Sequence, residues 1–235
     1  MRYLLVLLLP MLLLGTDLLK QIDERLQPFS YESYRKLINI ESDGTKKEFV
    51  MYMAKKDKDK VISLFLEPKS DHGRATLRLR ENMWLFIPGI AKPLRIASMQ
   101  SVTGGVFNNA DIMRLDFSVE YTIASQSKSE SEYTLLLHAK NETVTYEKLK
   151  MIVDKKTLFP KSIECIAGGI VLKTIRYLKT KDFGDGIVRP SILETTSQLQ
   201  KGYKSLIVFA KMKRKTFDDA VFTLENLSKI DDIRE

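Results

Sequence analysis

The sequence predicts a mainly β protein, an all-β barrel or sandwich of about eleven strands. Three observations carry this. Short apolar runs recur at fairly regular spacing between turn signals at Asp43-Gly44, Pro88-Gly89, Asn141, 154–157, Gly184-Asp185-Gly186 and Lys201-Gly202. Several runs alternate with period two: Leu77 and Leu79 against Arg78 and Arg80, then Phe117, Val119 and Tyr121, then Leu149, Met151 and Val153. One stretch near the N-terminus has helical spacing instead.

Taken in order, the chain starts Met1-Arg2, followed by an almost continuous apolar run over 3–14 and then Gly15, Thr16 and Asp17. This reads as a secretory signal over 1–16, or an N-terminal anchor if uncleaved. The run is shorter than the roughly 20 residues of a membrane-spanning helix. Thr16 stands where a bacterial lipoprotein would carry its acylated Cys, so export without acylation is expected. Residues 17–235 form one domain, since no linker divides them. The spacing of Leu18, Leu19, Ile22, Leu26 and Phe29 predicts an amphipathic helix over 17–29, capped by Asp17 and ended by Pro28.

Extended segments are expected at 47–54, 60–66, 75–80, 83–87, 95–98, 113–123 and 132–139. They continue at 143–153, 160–167, 171–179, 188–199 and 203–213. The strand 83–87, "MWLFI", is apolar on both faces, so a helix, a second sheet or a bound lipid must cover its second face. That places it at the centre of a sheet. A long sheet with one dry face must curl around a filler. The N-terminal helix and the Gly-containing segment 98–113 are the natural fillers. "SQSKSESE" reads as an exposed hairpin loop, and 217–230 as a short closing strand or helix.

The 235 residues carry a formal charge of +8, or about +7 once Arg2 leaves with the signal. In an exported protein this favours anionic membrane surfaces. The cluster Lys211, Lys213, Arg214 and Lys215 could meet such a surface or be simply solvated. The single cysteine, Cys165, forms no internal disulfide and reads as a small buried apolar residue. Catalytic signatures are weak. His72 and His138 are the only histidines, and the adjacent letters of Ser70-Asp71-His72 cannot fold back into a triad. No metal-ligand spacing and no phosphate loop occur.

The run "RATLRLRENMWLFIPGIAKPLRI", followed by "QSVTGGVFNNADIMRL", resembles the LolA-like outer-membrane lipoprotein-sorting proteins. Further matching positions are Asp154 with Pro160, Asp185-Gly186 with Pro190, and the closing "FTLENL". The resemblance spans the mature chain. It implies an incomplete, strongly curved antiparallel β-barrel, with the N-terminal helix and a lid segment covering its concave face. It also implies a non-enzymatic, monomeric periplasmic carrier without cofactor, metal or nucleic acid. Its partners would be acyl chains of lipoproteins or phospholipids, moved toward the outer membrane, with a membrane or transporter as a further partner.

On that reading Leu77, Leu79, Trp84, Phe86, Phe107, Phe117 and Val119 contact the acyl chain. Arg74, Arg78, Arg80 and Arg95 form a basic rim for a headgroup or partner. The single cavity arginine of the carrier subfamily has three candidates here, Arg74, Arg78 and Arg80. Two alternatives stand beside the carrier. One is a lipid esterase or phospholipase assembling a Ser with His72 or His138. The other is a transporter adaptor with a filled core and no lipid-sized cavity.

Overall fold

A computed structural model describes residues 11–234, with side chains from residue 18 onward. Most of the predicted signal segment lies outside the described residues. From Met11 the backbone is already helical: α1 (Met11–Leu26) starts ahead of the predicted cap at Asp17, because Met and Leu extend a helix readily. Pro28 follows its end, and Leu19, Ile22 and Leu26 are buried, while Phe29 is exposed. Among the described residues no helix is long and apolar enough to cross a membrane.

The rest of the chain is one open antiparallel sheet. Its first six strands are β1 (Tyr31–Ile40), β2 (Lys46–Lys56), β3 (Lys60–Glu67), β4 (Ala75–Leu79), β5 (Asn82–Phe86) and β6 (Leu94–Ile96). After two single-turn helices, α2 (Asn109–Ile112) and α3 (Phe117–Glu120), come β7 (Tyr121–Lys128), β8 (Glu132–Ala139), β9 (Lys148–Asp154) and β10 (Pro160–Ala167). The series closes with β11 (Ile170–Asp182), β12 (Val188–Ser197) and β13 (Lys204–Arg214), then 3-10 turns at Asp219–Phe222 and Leu227–Ile233.

The strand order is β6-β5-β4-β3-β2-β1-β13-β12-β11-β10-β9-β8-β7. Two meanders therefore meet at the β1–β13 pair, and β6 and β7 are the free edges. The connection 97–120 runs from one edge to the other and lies across the concave face. The edges are blunted: β6 is three residues long and preceded by Pro93, and β7 is polar and largely exposed after Tyr121.

The sheet has thirteen strands rather than about eleven. The strand missed in sequence is β1. Its inward positions include Ser33, Arg35 and Asn39, all buried, so no apolar alternation marks it. The predicted strand 113–123 is instead broken, because Phe117–Glu120 turns as helix before β7 starts. Phe117 and Tyr121 stay together by helical i,i+4 spacing, with ring centroids 6.5 Å apart.

The strand 83–87 does have cover on both faces, but it lies one place from an edge rather than at the centre. Met83 enters the main core with α1 and the lid. Trp84 and Phe86 point the other way, into a second cluster built with Phe217, Val221, Phe222, Leu227 and Ile230 of the C-terminal turns. The cover is thus protein on each side: the lid in front, the C-terminal segment behind.

Candidate functional site

The lid is fastened to the sheet by buried polar contacts. Asn39 Nδ2 donates to the Thr103 carbonyl at 3.0 Å, and Val106 N donates to Ser205 Oγ at 2.9 Å. Gly105 passes so close that a Cβ there would lie 1.9 Å from Asn39 Oδ1. A capping box at Asn108 starts α2. Its Asp111 accepts from Tyr146 Oη at 3.0 Å and pairs with the buried Lys173 at 2.8 Å.

Helix α1 holds the second half of the lid. Asp23 accepts from Phe117 N at 2.7 Å and Ser118 N at 2.9 Å, so it caps α3 from another element. Burial, then the nearby Asp116 charge, push its carboxyl up to about 6 despite those bonds. Asp116 accepts from Gln27 at 2.8 Å and pairs with the buried Lys55 at 3.1 Å. Each of these lid carboxylates thus has a partner.

Beneath the lid lies a cavity of 40 Å³, room for a few waters. Its walls are Phe107, Ala110 and Phe117 from the lid and Tyr121, Leu149, Ile163, Cys165, Ile175, Tyr177 and Leu193 from the sheet. Asp111, Arg114, Glu120, Tyr146 and the Thr145 hydroxyl also face it, and Thr145 Oγ1 has no hydrogen-bond partner. Burial pushes the Cys165 thiol well up, so it stays protonated and inert. A wider groove of 480 Å³ lies elsewhere, along Glu32, Tyr34, Lys211, Lys213 and Arg234; it holds two residues of the predicted basic cluster. Glu32 there pairs with Lys213 and Lys215, each at 2.9 Å.

The predicted contact residues divide between the two faces. Phe107 and Phe117 line the cavity, and Val119 packs on the same core. Leu77, Leu79, Trp84 and Phe86 lie in the opposite cluster, under the C-terminal turns. Alternation in β4 was therefore correct in period but reversed in sense. Arg78, expected on a wet face, is the residue that points toward the lid. It is 2% exposed, donates to the Met113 carbonyl at 3.2 Å, and pairs with Glu120.

The expected basic rim does not assemble as one patch. Arg74 pairs with Asp71 and lies over the Phe65 ring. Arg80 is exposed on Asp59, in a turn where its φ is 53°. Arg95 bonds to the Asn82 side chain at the surface. His72 and His138 are both exposed, on the β3–β4 turn and on β8, far apart in strand order.

A group the sequence reading missed lies on the inner face. Arg35, Arg114 and Arg189 gather around Tyr31, Tyr177 and Phe209. The Arg35 and Arg189 guanidinium carbons stand 4.5 and 4.0 Å from the Phe209 ring centre. Arg35 donates to Tyr31 Oη at 2.9 Å and to the Ile112 carbonyl at 3.3 Å, and Arg114 donates to Tyr177 Oη. Arg189 is 1% exposed; its Nε reaches the Pro190 carbonyl, while Nη1 and Nη2 have no partner. The available signal was period two in β12, which puts Arg189 on the face of Leu193 and Thr195.

The open antiparallel sheet, taken over nine-tenths of the chain, superimposes on solved structures of LolA-like proteins. The chain belongs to a family described as "Uncharacterized protein"-like, whose model matches residues 57–229, and its fold is LolA-like. A LolA superfamily protein from Nitrosomonas europaea is 25% identical, with a TM-score of 0.81 over 90% of this chain and 98% of that one. A candidate outer membrane lipoprotein-sorting protein domain from Vibrio parahaemolyticus is 18% identical, with a TM-score of 0.75 over 91% and 98% of the two chains. A DUF1329 family protein from Desulfovibrio piger is also 18% identical, with a TM-score of 0.77 over 92% and 98%. No curated protein sequence matches the chain.

Proposed function

We propose that this protein is a non-catalytic periplasmic carrier that takes an acyl chain under its lid and moves it toward the outer membrane. One observation carries the reading: the concave face is apolar where it faces Phe107 and Phe117, and it is closed by a lid held through polar contacts. Exposed methylenes cost about 0.8 kcal/mol each in water, so a carrier needs such a dry face. The likeness to lipoprotein-sorting folds agrees. In the described form the cavity of 40 Å³ is too small for an acyl chain, so loading requires lid displacement.

That small volume also favours a second reading, an adaptor serving a transporter, whose core stays filled. Native mass spectrometry of protein from the periplasm, with lipid extraction of the same sample, separates the two. A bound acylated species near one-to-one supports the carrier. A clean apo mass with no uptake of added lipid or acylated peptide sinks it and favours the adaptor.

A further inference from the structure

The inner face holds an unusual excess of positive charge. Lys55, Arg78 and Lys173 each have a carboxylate partner: Asp116, Glu120 and Asp111. Among the described residues, Arg35, Arg114 and Arg189 have none within 4.0 Å. Asp23 acts on Arg114 electrostatically but is committed to the N–H groups of Phe117 and Ser118, and the cavity carboxylates Asp111 and Glu120 are paired with Lys173 and Arg78.

A buried guanidinium with two free nitrogens is costly, and natural interiors avoid leaving it so. Burial, with smaller contributions from Arg35 and Arg114, pushes Arg189 down to about 9, so it remains charged at neutral pH. Destabilising arrangements of this kind persist where a ligand completes them. The three side chains also connect to the cavity. Arg114 and Tyr177 are part of its wall, and Tyr177 interacts with both Arg114 and Arg189.

We infer that Arg35, Arg114 and Arg189 form an oxyanion site, which receives the carboxylate or phosphate of an amphiphile whose acyl chain lies between Phe107 and Phe117. A planar guanidinium fork matches either group with paired N–H···O bonds. Phe209 holds two of the forks against one ring, which limits the freedom lost on binding. The inference rests on the carrier reading for the acyl chain, but not for the anion.

The test uses three probes with one chain: myristate, myristoyl lysophosphatidate and monomyristoylglycerol. Calorimetric titration of the full chain should give at least one anionic probe an affinity about tenfold or more above the neutral one. The tighter of the two anions identifies the headgroup class. Arg189→Met should erase that preference, leave monomyristoylglycerol binding unchanged, and raise the melting temperature of the free protein. Arg189→Lys should keep part of the preference. Inorganic phosphate alone should raise the melting temperature of the parent and not of Arg189→Met.

Equal affinity for charged and neutral probes would overturn the site while leaving the carrier intact. Phosphate stabilisation without uptake of any amphiphile would leave the anion site standing and remove the carrier. Neither response would remove both.

Discussion

Asp23 on α1 caps the first turn of α3 at Phe117, a residue far along the chain, through a 2.7 Å bond to its backbone N–H. The first helix and the lid therefore hold each other in place. This single carboxylate serves two donors, because Ser118 N bonds to its other oxygen.

Stability should record the titration of Asp23. Its carboxyl lies near 6, above the ordinary 3.8, so between those values the folded chain holds a proton that the unfolded chain has released. The contribution of Asp23 is most favourable below about pH 4 and is lost as pH rises to about 6, on the order of a few kcal/mol. Urea unfolding of the parent relative to Asp23→Asn should show this difference falling across that window and flat above it. A difference independent of pH would contradict the assignment. Burial sets the window first and the Asp116 charge second, against the hydrogen bonds from Ser118 and Phe117.

Arg78 and Glu120 form a buried pair between β4 and α3. Arg78→Met strands Glu120 and should cost about 3 kcal/mol in urea unfolding. Adding Glu120→Leu should recover most of it. A fully additive double variant would show that the two side chains act independently.

The lid crosses Asn39 at Gly105, where a Cβ would overlap the amide. Gly105→Ala should push the lid outward at a cost of roughly 1–3 kcal/mol. Cys165, the sole thiol, lines the cavity and is buried. Its alkylation by iodoacetamide should be slow in the parent and clearly faster in Gly105→Ala. Equal rates would mean that the lid at Gly105 does not guard the cavity.

The back of the sheet should be energetically important and functionally silent. Leu227→Ala removes a fully buried side chain from the cluster under β4 and β5, and should cost about 2–5 kcal/mol. Trp84 is the single tryptophan and packs against that cluster. Its fluorescence should shift in Leu227→Ala, whereas Leu79→Ala should leave the stoichiometry of acyl uptake unchanged. Loss of uptake in Leu79→Ala would return β4 to the ligand side.

Period two was legible wherever one set of side chains was apolar, as at Leu149, Met151 and Val153, which are all buried in the main core. The sense of that alternation was not legible. Leu77 and Arg78 are both buried, because the sheet is covered on both faces, and period alone does not say which cover is the lid. Strand β1 was invisible because Ser33, Arg35 and Asn39 serve polar contacts inside. The arginine cluster was invisible for a related reason. Its members come from β1, the lid and β12, and only the pairing of β1 with β13, and of β13 with β12, brings them together.

The seam between the two meanders also sets an order of assembly. Tyr31 pairs with Arg214, and Ile40 with Lys204, so the seam joins one end of the sheet sequence to the other. Every other strand pair joins neighbours in sequence and can form as soon as both strands have been made. The inner edge of β1 must wait until β13 arrives, and through that interval it presents unpaired backbone groups. Glu32 and Arg35 along β1 place charge on that waiting edge. Residues that later line a buried interior can thus also keep the half-finished chain from sticking to its own copies.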